Sequence, residues 1–308
     1  MPTRSPLKPF DQAELAPADD RRHQIQRRRA NALAVLGVLV LAVSIAVEVG
    51  SSGSRRGSDT ANAGHATRVP PPGEVARERA AAENRAIDRV LAYTPFLTSG
   101  GGSGREIALT FDDGPGPYTG EVLRVLRRHH VKATFFEVGF MERWFSSATV
   151  KALQEGHAVG DHTESHAKLG LLGRPAQRQQ IVSQAEWLHK LGAPRPRLFR
   201  PPFGSFDEHT FTVLRRHRML MVLWSVDAQD YRRPGARAIV QRVMRGAKPG
   251  AIVLMHDAGG ARSETVAALP EIIRRLRKRK FELVTVPRLL IDDPPPHGQR
   301  LPHYLGSG

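Results

Sequence analysis

From residue 106 onward, short apolar runs rich in β-branched and aromatic residues alternate with longer segments of helix-forming residues. Alternation of this kind is typical of an α/β domain with parallel strands, in which each helix returns the chain across the sheet. The count of runs favours a barrel of about seven parallel strands over an open sheet. The predicted strands are IALTF, KATFFEV, HAVGDH, RLFRPP, MLMVLWSV, AIVLMH and FELVTV.

The N-terminal segment predicts a membrane anchor. Residues 1–29 are polar and basic and end in three arginines, and an apolar run then extends over about residues 30–49. Twenty apolar residues are about the minimum that spans a bilayer core. Basic residues flank only the N-terminal side, so the positive-inside rule predicts a cytoplasmic N-terminus, a single-pass span in the cell membrane and an extracytoplasmic remainder. A cleaved signal peptide and a buried core helix are the alternatives.

The segment between this span and the α/β region is predicted to be a linker. Residues 50–69 are rich in Gly, Ser, Arg and Ala, residues 74–97 carry helix formers, and GGGSG follows at 100–104. We therefore predict a linker or stalk over residues 50–104, an α/β domain over 105–291, and an irregular Pro- and Gly-rich tail over 292–308.

Composition limits the chemistry and the partners. The chain has no cysteine, so any metal site must use histidines and carboxylates. It has 46 Lys and Arg against 30 Asp and Glu, a formal net charge of +16. Such an excess attracts polyanions, but its sign does not choose among nucleic acid, anionic lipid and anionic cell-wall polymer.

Two carboxylates lie where the first predicted strand ends. Asp112 and Asp113 belong to TFDDGP, and functional sites of parallel α/β folds lie at the carboxyl ends of strands. The alternative is an ordinary turn. In DHTESH, His162 and His166 are four residues apart, which predicts that they share one face of a helical turn. Two imidazoles and one carboxylate leave positions open on a metal, although exposed histidine pairs are also common.

Three further polar groups follow predicted strands. Arg200 in FRPPFG could orient a carboxylate through its guanidinium, or lie in a rigid surface loop. Asp227 and Asp230 follow another apolar run. His256 ends the AIVLMH run, and a histidine paired with a carboxylate is suited to proton transfer; the alternative is a structural histidine.

The motif order TFDDGP, HTESH, RPPFG, DAQDY and LMH resembles the polysaccharide deacetylase family, the NodB-homology domain of carbohydrate esterase family 4, over about residues 106–290. The resemblance implies a distorted (β/α) barrel and metal-dependent deacetylation of N-acetylated sugars. It implies Zn²⁺, or Co²⁺ or another divalent ion, held by Asp113, His162 and His166.

The resemblance also implies roles in catalysis. Asp112 would be the general base and Arg200 would orient it, while His256 would be the general acid, held by Asp230. Two residues depart from the family pattern: Phe203 replaces a usual Tyr, and Tyr231 replaces a usual Trp. Phe203 would keep an oxyanion contact through its backbone N–H, whereas Tyr231 would reshape the pocket near His256.

The wall-facing topology makes N-acetylglucosamine-type sugars of peptidoglycan the leading substrate, with chitooligosaccharide or acetylxylan as alternatives. A catalytically silent wall-binding protein with a basic patch at residues 274–280 is a further alternative. Nucleic acid is not expected as a partner, because the predicted topology puts the basic surface outside the cytoplasm. The sequence does not determine the oligomeric state, the metal or whether the anchor is cleaved.

Overall fold

The structure is a computed structural model that describes residues 72–301. Nine strands in this part of the chain belong to one sheet, and all of their pairings are parallel. They are β1 (Phe96–Leu97), β2 (Glu106–Gly114), β3 (Thr134–Glu137), β4 (Ala158–Asp161), β5 (Leu198–Phe199), β6 (Leu220–Val222), β7 (Val226–Asp227), β8 (Ile252–His256) and β9 (Glu282–Val284).

Eight α-helices accompany these strands in the same residues. Their boundaries follow local signals: Asp207, for example, forms a capping box with Thr210 at the start of the fifth helix. The helices are α1 (Pro72–Leu91), α2 (Thr119–Arg128), α3 (Gly139–Gln154), α4 (Arg174–Lys190), α5 (Glu208–Arg216), α6 (Ala236–Gly246), α7 (Ser263–Lys278) and α8 (Val286–Asp292). Three short 3₁₀ turns cover Leu169–Leu171, Pro202–Gly204 and Asp230–Arg232.

The sheet is an incomplete barrel. Its strand order is β1-β6-β5-β4-β3-β2-β8-β7, and β9 pairs with the beginning of β2. Within residues 72–301, no ladder joins β1 to β7. The prediction of an α/β barrel of parallel strands is confirmed. Residues 72–301 contain nine strands rather than about seven, because two-residue strands show too little sequence pattern to be predicted.

Alternation along β2 separates the barrel interior from the helical layer. Ile107, Leu109 and Phe111 pack against α2, α6 and α7, whereas Ala108 belongs to the inner cluster. Because successive side chains of a strand point to opposite faces, Asp112 shares the inner face with Ala108. The side chain of Asp112 therefore points into the barrel.

The run MLMVLWSV was predicted as one strand, and this prediction was wrong. The structure divides it into β6 and β7, separated by residues 223–225. The side chain of Arg200 donates from Nε to the Val222 carbonyl at 2.9 Å and from Nη2 to the Leu223 carbonyl at 3.1 Å. These two carbonyls accept from a side chain instead of from a neighbouring strand, so the β6 ladder ends where Arg200 binds.

Part of the segment before residue 105 packs against the barrel. Ala86, Ile87 and Val90 of α1 are buried in the inner core cluster, and β1 pairs with β6. The folded unit therefore includes part of the segment predicted as linker or stalk. The apolar residues of α1 lie on one face of the helix, and the barrel covers that face. The helical pattern in the sequence predicts such a face but not what packs against it.

The irregular tail is packed where the structure describes it. The carboxylate of Asp293 accepts hydrogen bonds from the Gly102 N–H and the Ser103 hydroxyl, each at 2.6 Å. The hydroxyl of Tyr93 donates to the Pro295 carbonyl at 2.6 Å. These contacts fix the Gly-rich segment before β2 against the chain that follows α8.

No helix of residues 72–301 combines the length and apolar character that crossing a bilayer requires. The predicted span at residues 30–49 lies outside the described residues.

A pair of buried glutamates lies between the sheet and α3. Glu137, at the end of β3, is fully buried, and neither of its carboxylate oxygens has a hydrogen-bond partner. Glu142 in α3 is also buried and accepts from the Thr149 hydroxyl. Burial, together with the adjacent charge of Glu142, raises the pKa of Glu137 well above its usual range. Burial also raises the pKa of Glu142, so the pair retains a proton at pH values at which an exposed glutamate is ionised.

Replacing Glu137 by Gln should make stability less dependent on pH. The folded-state pKa lies above the unfolded value of about 4.3, so the wild type loses stability as pH rises above that value, by up to about 1.4 kcal/mol per pH unit, until the folded pKa is passed. In urea unfolding between pH 4 and 8, the free energy of unfolding of E137Q should increase relative to that of the wild type as pH rises. The exposed control E186Q should show no such trend, and parallel curves for E137Q and the wild type would contradict the assignment.

Candidate active site

A buried ion pair lies at the centre of the site. Arg200 has no exposed surface, and its Nη1 donates to Oδ1 of Asp112 at 2.7 Å and to the Thr110 hydroxyl at 2.7 Å. The ring of Phe136 lies 4.1 Å from the guanidinium carbon. Burial lowers the pKa of Arg200 and Asp112 opposes this shift, but a guanidinium remains charged throughout the ordinary pH range. The alternative of a surface arginine is excluded by its burial.

The structure brings Asp113, His162 and His166 together. One ligand atom from each lies within 4.8 Å of the others. Oδ1 of Asp113 is 3.6 Å from Nε2 of His162 and 3.0 Å from Nε2 of His166. Oδ1 is buried and has no partner with hydrogen-bond geometry, although the His166 nitrogen is close. An unpartnered buried carboxylate oxygen facing two imidazole nitrogens fits a divalent cation.

The tautomer of His162 is fixed by a backbone contact. Its Nδ1 lies 2.7 Å from the Arg200 carbonyl, which can only accept a hydrogen bond. Nδ1 therefore carries the proton in the neutral ring, and Nε2 is left with a lone pair toward Asp113. This arrangement is the one that a metal-ligating imidazole requires.

The two histidines do not share a helical turn, so that prediction was wrong. The segment from His162 to His166 is an irregular loop in which Thr163 and His166 have positive φ values of 69° and 56°. Asp113 also has a positive φ, 72°. Such conformations are costly for non-glycine residues and persist where surrounding contacts enforce them. Here the N–H of Thr163 donates to Oδ1 of the buried Asp161 at 2.8 Å.

His256 and Asp230 form the second pair. Nδ1 of His256 is 2.7 Å from Oδ1 of Asp230, and the Thr265 hydroxyl donates to Oδ2 of Asp230 at 2.7 Å. Burial disfavours the charged imidazole, but the hydrogen bond and charge of Asp230 outweigh it and raise the pKa of His256 to about 9. The β2–β8 register sets His256 directly beside Asp112.

The two residues that depart from the family pattern border these groups. The Phe203 ring contacts that of His166 edge-on with 4.5 Å between centroids, and Phe203 has a positive φ of 59°. The ring of Tyr231 lies 5.5 Å from that of His256, and its hydroxyl donates to Oδ2 of Asp227 at 3.2 Å. All nine predicted site residues therefore lie at the same end of the barrel.

Sequence reasoning missed Asp257. This fully buried residue follows His256, and its Oδ2 accepts from the Thr119 hydroxyl. Burial raises the pKa of Asp257 to about 7. A Cβ added at Gly114 would lie 2.7 Å from its Oδ1, so only glycine fits there. The adjacency of Asp257 to His256 was visible in the sequence, whereas its contact with Thr119 was not.

Several known proteins that are similar to this chain are deacetylases. A sequence profile described as polysaccharide deacetylase matches residues 99–222. A peptidoglycan-N-acetylglucosamine deacetylase of Bacillus cereus is 40% identical over 60% of this chain and 87% of that protein. A chitooligosaccharide deacetylase of Sinorhizobium fredii is 34% identical over 64% of this chain and 98% of its own length. The crystal structure of a peptidoglycan N-acetylglucosamine deacetylase superposes with a TM-score of 0.63 and 34% identity, covering 65% of this chain and 94% of the other.

The incomplete parallel barrel carries a His, His, Asp cluster and two candidate proton carriers at its strand ends, Asp112 held by Arg200 and His256 held by Asp230, as in a hydrolase of the deacetylase type. The chain belongs to the polysaccharide deacetylase family, carbohydrate esterase family 4, and is a polysaccharide deacetylase that acts on a linear amide. The family is generally dependent on a divalent metal, and Asp113, His162 and His166 are the candidate ligands.

Replacing Asp230 by Asn should lower the pKa of His256 from about 9, because the neutral amide no longer stabilises the imidazolium. The folded pKa lies above the unfolded value of about 6.5, so the pair's contribution to the free energy of unfolding is full below about pH 6.5 and is lost as pH rises through about 9. NMR titration of the metal-free protein and its D230N variant measures both midpoints. An unchanged midpoint would show that Asp230 does not cause the raised pKa of His256.

Proposed function

We propose that this protein is a metal-dependent deacetylase that removes N-acetyl groups from N-acetylglucosamine-type sugars of peptidoglycan. One observation carries the proposal: the cluster of Asp113, His162 and His166 lies beside the Asp112–Arg200 ion pair at one end of the barrel. The similarity to peptidoglycan-N-acetylglucosamine deacetylases supports the choice of substrate.

The metal would be held by Nε2 of both histidines and a carboxylate oxygen of Asp113. Two neutral imidazoles and one carboxylate suit Zn²⁺, and also Co²⁺ or another divalent ion. When bound, such a cation lowers the pKa of a coordinated water and polarises the acetamide carbonyl. The hydrogen bond from Nδ1 of His162 to the Arg200 carbonyl keeps that ring oriented for this role.

Asp112 would act as the general base. Its Oδ2 lies 3.8 Å from Nε2 of His162, so the carboxylate faces the group of side chains that would hold the metal. Arg200 donates to the other oxygen, Oδ1, at 2.7 Å and thereby orients the carboxylate, so that Oδ2 is the oxygen that would take the proton. As the water attacks the carbonyl carbon, the Phe203 N–H would stabilise the oxyanion; loss of one such donor typically costs about 3 kcal/mol.

His256 would act as the general acid. With its pKa raised to about 9, the ring is an imidazolium at neutral pH and has a proton to give to the departing nitrogen. A bound cation offsets the charges of Asp112 and Asp113, but the direct contact with Asp230 persists. Cleavage of the carbon–nitrogen bond then yields acetate and a free amino group on the sugar.

Chitooligosaccharide is the second candidate substrate, because the alignment with a chitooligosaccharide deacetylase extends over 98% of that protein. A silent wall-binding role is less well supported. Arg274 and Arg275 of the proposed basic patch both bind Glu271, and Arg279 donates to the carbonyls of Met244 and Ala247. Much of the patch is therefore engaged within the protein.

We also retain the proposal of a single-pass membrane anchor at residues 30–49, with the catalytic domain outside the cytoplasm. It is supported by the arginines before the apolar run and by their absence directly after it. Protease treatment of intact cells expressing the full chain should remove the catalytic domain while the N-terminus stays protected. Protection of both would contradict this topology.

The purified protein should release acetate from N-acetylated peptidoglycan. Release should stop with chelator and return with added Zn²⁺ or Co²⁺, because the cation supplies the polarisation of the carbonyl. His162→Ala should lose this activity and His189→Ala, on the exposed side of α4, should keep it. A folded, metal-loaded protein that releases no acetate from peptidoglycan, chitooligosaccharide or acetylxylan would favour the silent wall-binding role.

Metal binding and proton transfer should be separable by mutation. Asp113→Ala should abolish Zn²⁺ binding measured by calorimetry, because it removes the only carboxylate of the three candidate ligands. Asp112→Asn should retain Zn²⁺ but lose turnover by roughly 10²- to 10⁴-fold, the usual contribution of a general base. Circular dichroism checks that D112N is folded, since it leaves the buried Arg200 without its charge partner. Equal loss of metal in both variants would contradict the assigned roles.

A further inference from the structure

Exposed apolar side chains are concentrated around the active-site end of the barrel. Among residues 72–301, six large apolar side chains are exposed, and five of them belong to segments that follow the carboxyl ends of β3, β4, β5 and β7. Exposed apolar patches mark interaction surfaces or ligand grooves when they are contiguous with a site. The five are Phe140, Trp144, Leu171, Phe203 and Tyr231, and the sixth is Leu301.

Phe140 and Trp144 form a pair that the proposed catalytic machinery does not use. They are four residues apart on α3, so they share one face of the helix. Their ring centroids are 4.6 Å apart with an interplanar angle of 68°. Phe140 is 38% exposed and Trp144 is 58% exposed, so much of each side chain is available to a ligand.

Charged neighbours hold this aromatic pair in place. The guanidinium carbon of Arg143 lies 5.3 Å from the Phe140 ring, and its Nη2 lies 3.5 Å from Oε1 of Glu164. An aromatic ring already restrained in the free protein loses little conformational entropy when it binds. The pair is therefore an apolar surface with hydrogen-bonding groups at its edge.

The aromatic pair is attached directly to the loop that carries the candidate metal ligands. The N–H of Gly139 donates to the Thr163 carbonyl at 3.1 Å, and the N–H of Phe140 donates to the Glu164 carbonyl at 2.7 Å. Thr163 and Glu164 both lie between His162 and His166. The start of α3 thus borders the site, on the side of the two histidines.

A polysaccharide extends beyond the sugar whose N-acetyl group occupies the site. A pyranose ring has an apolar face of C–H groups and a rim of hydroxyls, which matches an aromatic surface edged by Arg143 and Glu164. We propose that Phe140 and Trp144 form a subsite that binds a pyranose ring of the same polysaccharide chain, beyond the ring directly linked to the sugar under hydrolysis. This inference rests on the proposed function.

The subsite predicts an effect that depends on the length of the substrate. Chitin oligosaccharides of two to six sugars are the probes, and acetate release from each gives kcat/KM. The double variant F140A/W144A should lower kcat/KM about tenfold for the five- and six-sugar chains, mainly through KM, which corresponds to about 1.4 kcal/mol of binding. The two-sugar substrate, too short to reach the pair, should change by less than about twofold.

Two further variants separate recognition from folding. Trp187→Ala removes an aromatic ring of α4 that stacks with Lys190, with Nζ 5.7 Å from the ring centroid, and should leave the length dependence unchanged. Trp144→Phe keeps an aromatic ring and should retain much of the preference for long chains. Equal losses for all chain lengths in F140A/W144A, or none for the long chains, would overturn the proposal.

Binding can also be measured without turnover. Trp144 is one of three tryptophans, and Trp224 is nearly buried. Six-sugar chitin oligosaccharide should change the fluorescence of D112N, and the change should disappear in D112N/W144F. Absence of acetate release by the wild type with this signal intact would reject the proposed function but keep the subsite. Trp144-dependent self-association without a sugar response would identify a protein interface and overturn the subsite.

Discussion

The buried guanidinium of Arg200 is the group on which the site depends. It donates to the carbonyls of Val222 and Leu223, to the Thr110 hydroxyl and to the Asp112 carboxylate. A charge without water around it is tolerated only when its donors are paired, and removing one partner of a buried pair typically costs about 3–5 kcal/mol. These bonds connect β2, β5 and the interrupted end of β6, so the interior polar contact also shapes the sheet.

The same arginine links the candidate base to a candidate metal ligand. Its side chain holds Asp112, while its backbone carbonyl fixes the proton of His162 on Nδ1. On the other side of Asp112, the strand register sets His256, which Asp230 keeps protonated. Base, ligand and acid are consequently positioned by connected contacts, and a displacement of one strand end would alter all three.

Chemistry and recognition occupy different layers of the molecule. The candidate proton carriers are anchored in the barrel interior, where low exposure strengthens each electrostatic contact. The exposed aromatic side chains lie around them, on segments that the strand ends hold in place. Phe203 belongs to both layers, because its backbone is assigned to the oxyanion and its ring contacts His166. Changes at the rim can therefore alter the preferred glycan while the interior contacts stay the same.

The sequence by itself determined the α/β alternation and the location of polar groups at strand ends, because strand and helix periodicities are local properties. The family resemblance of its motif order also pointed to the nine candidate site residues. Only the tertiary structure decided that β1 joins the sheet, that His162 and His166 lie on an irregular loop, and that Glu137 lacks a partner. Only the tertiary structure likewise placed the aromatic pair on α3 beside the loop that carries His162 and His166. Each of these features depends on contacts between segments far apart in the chain, and local propensity carries no information about such contacts.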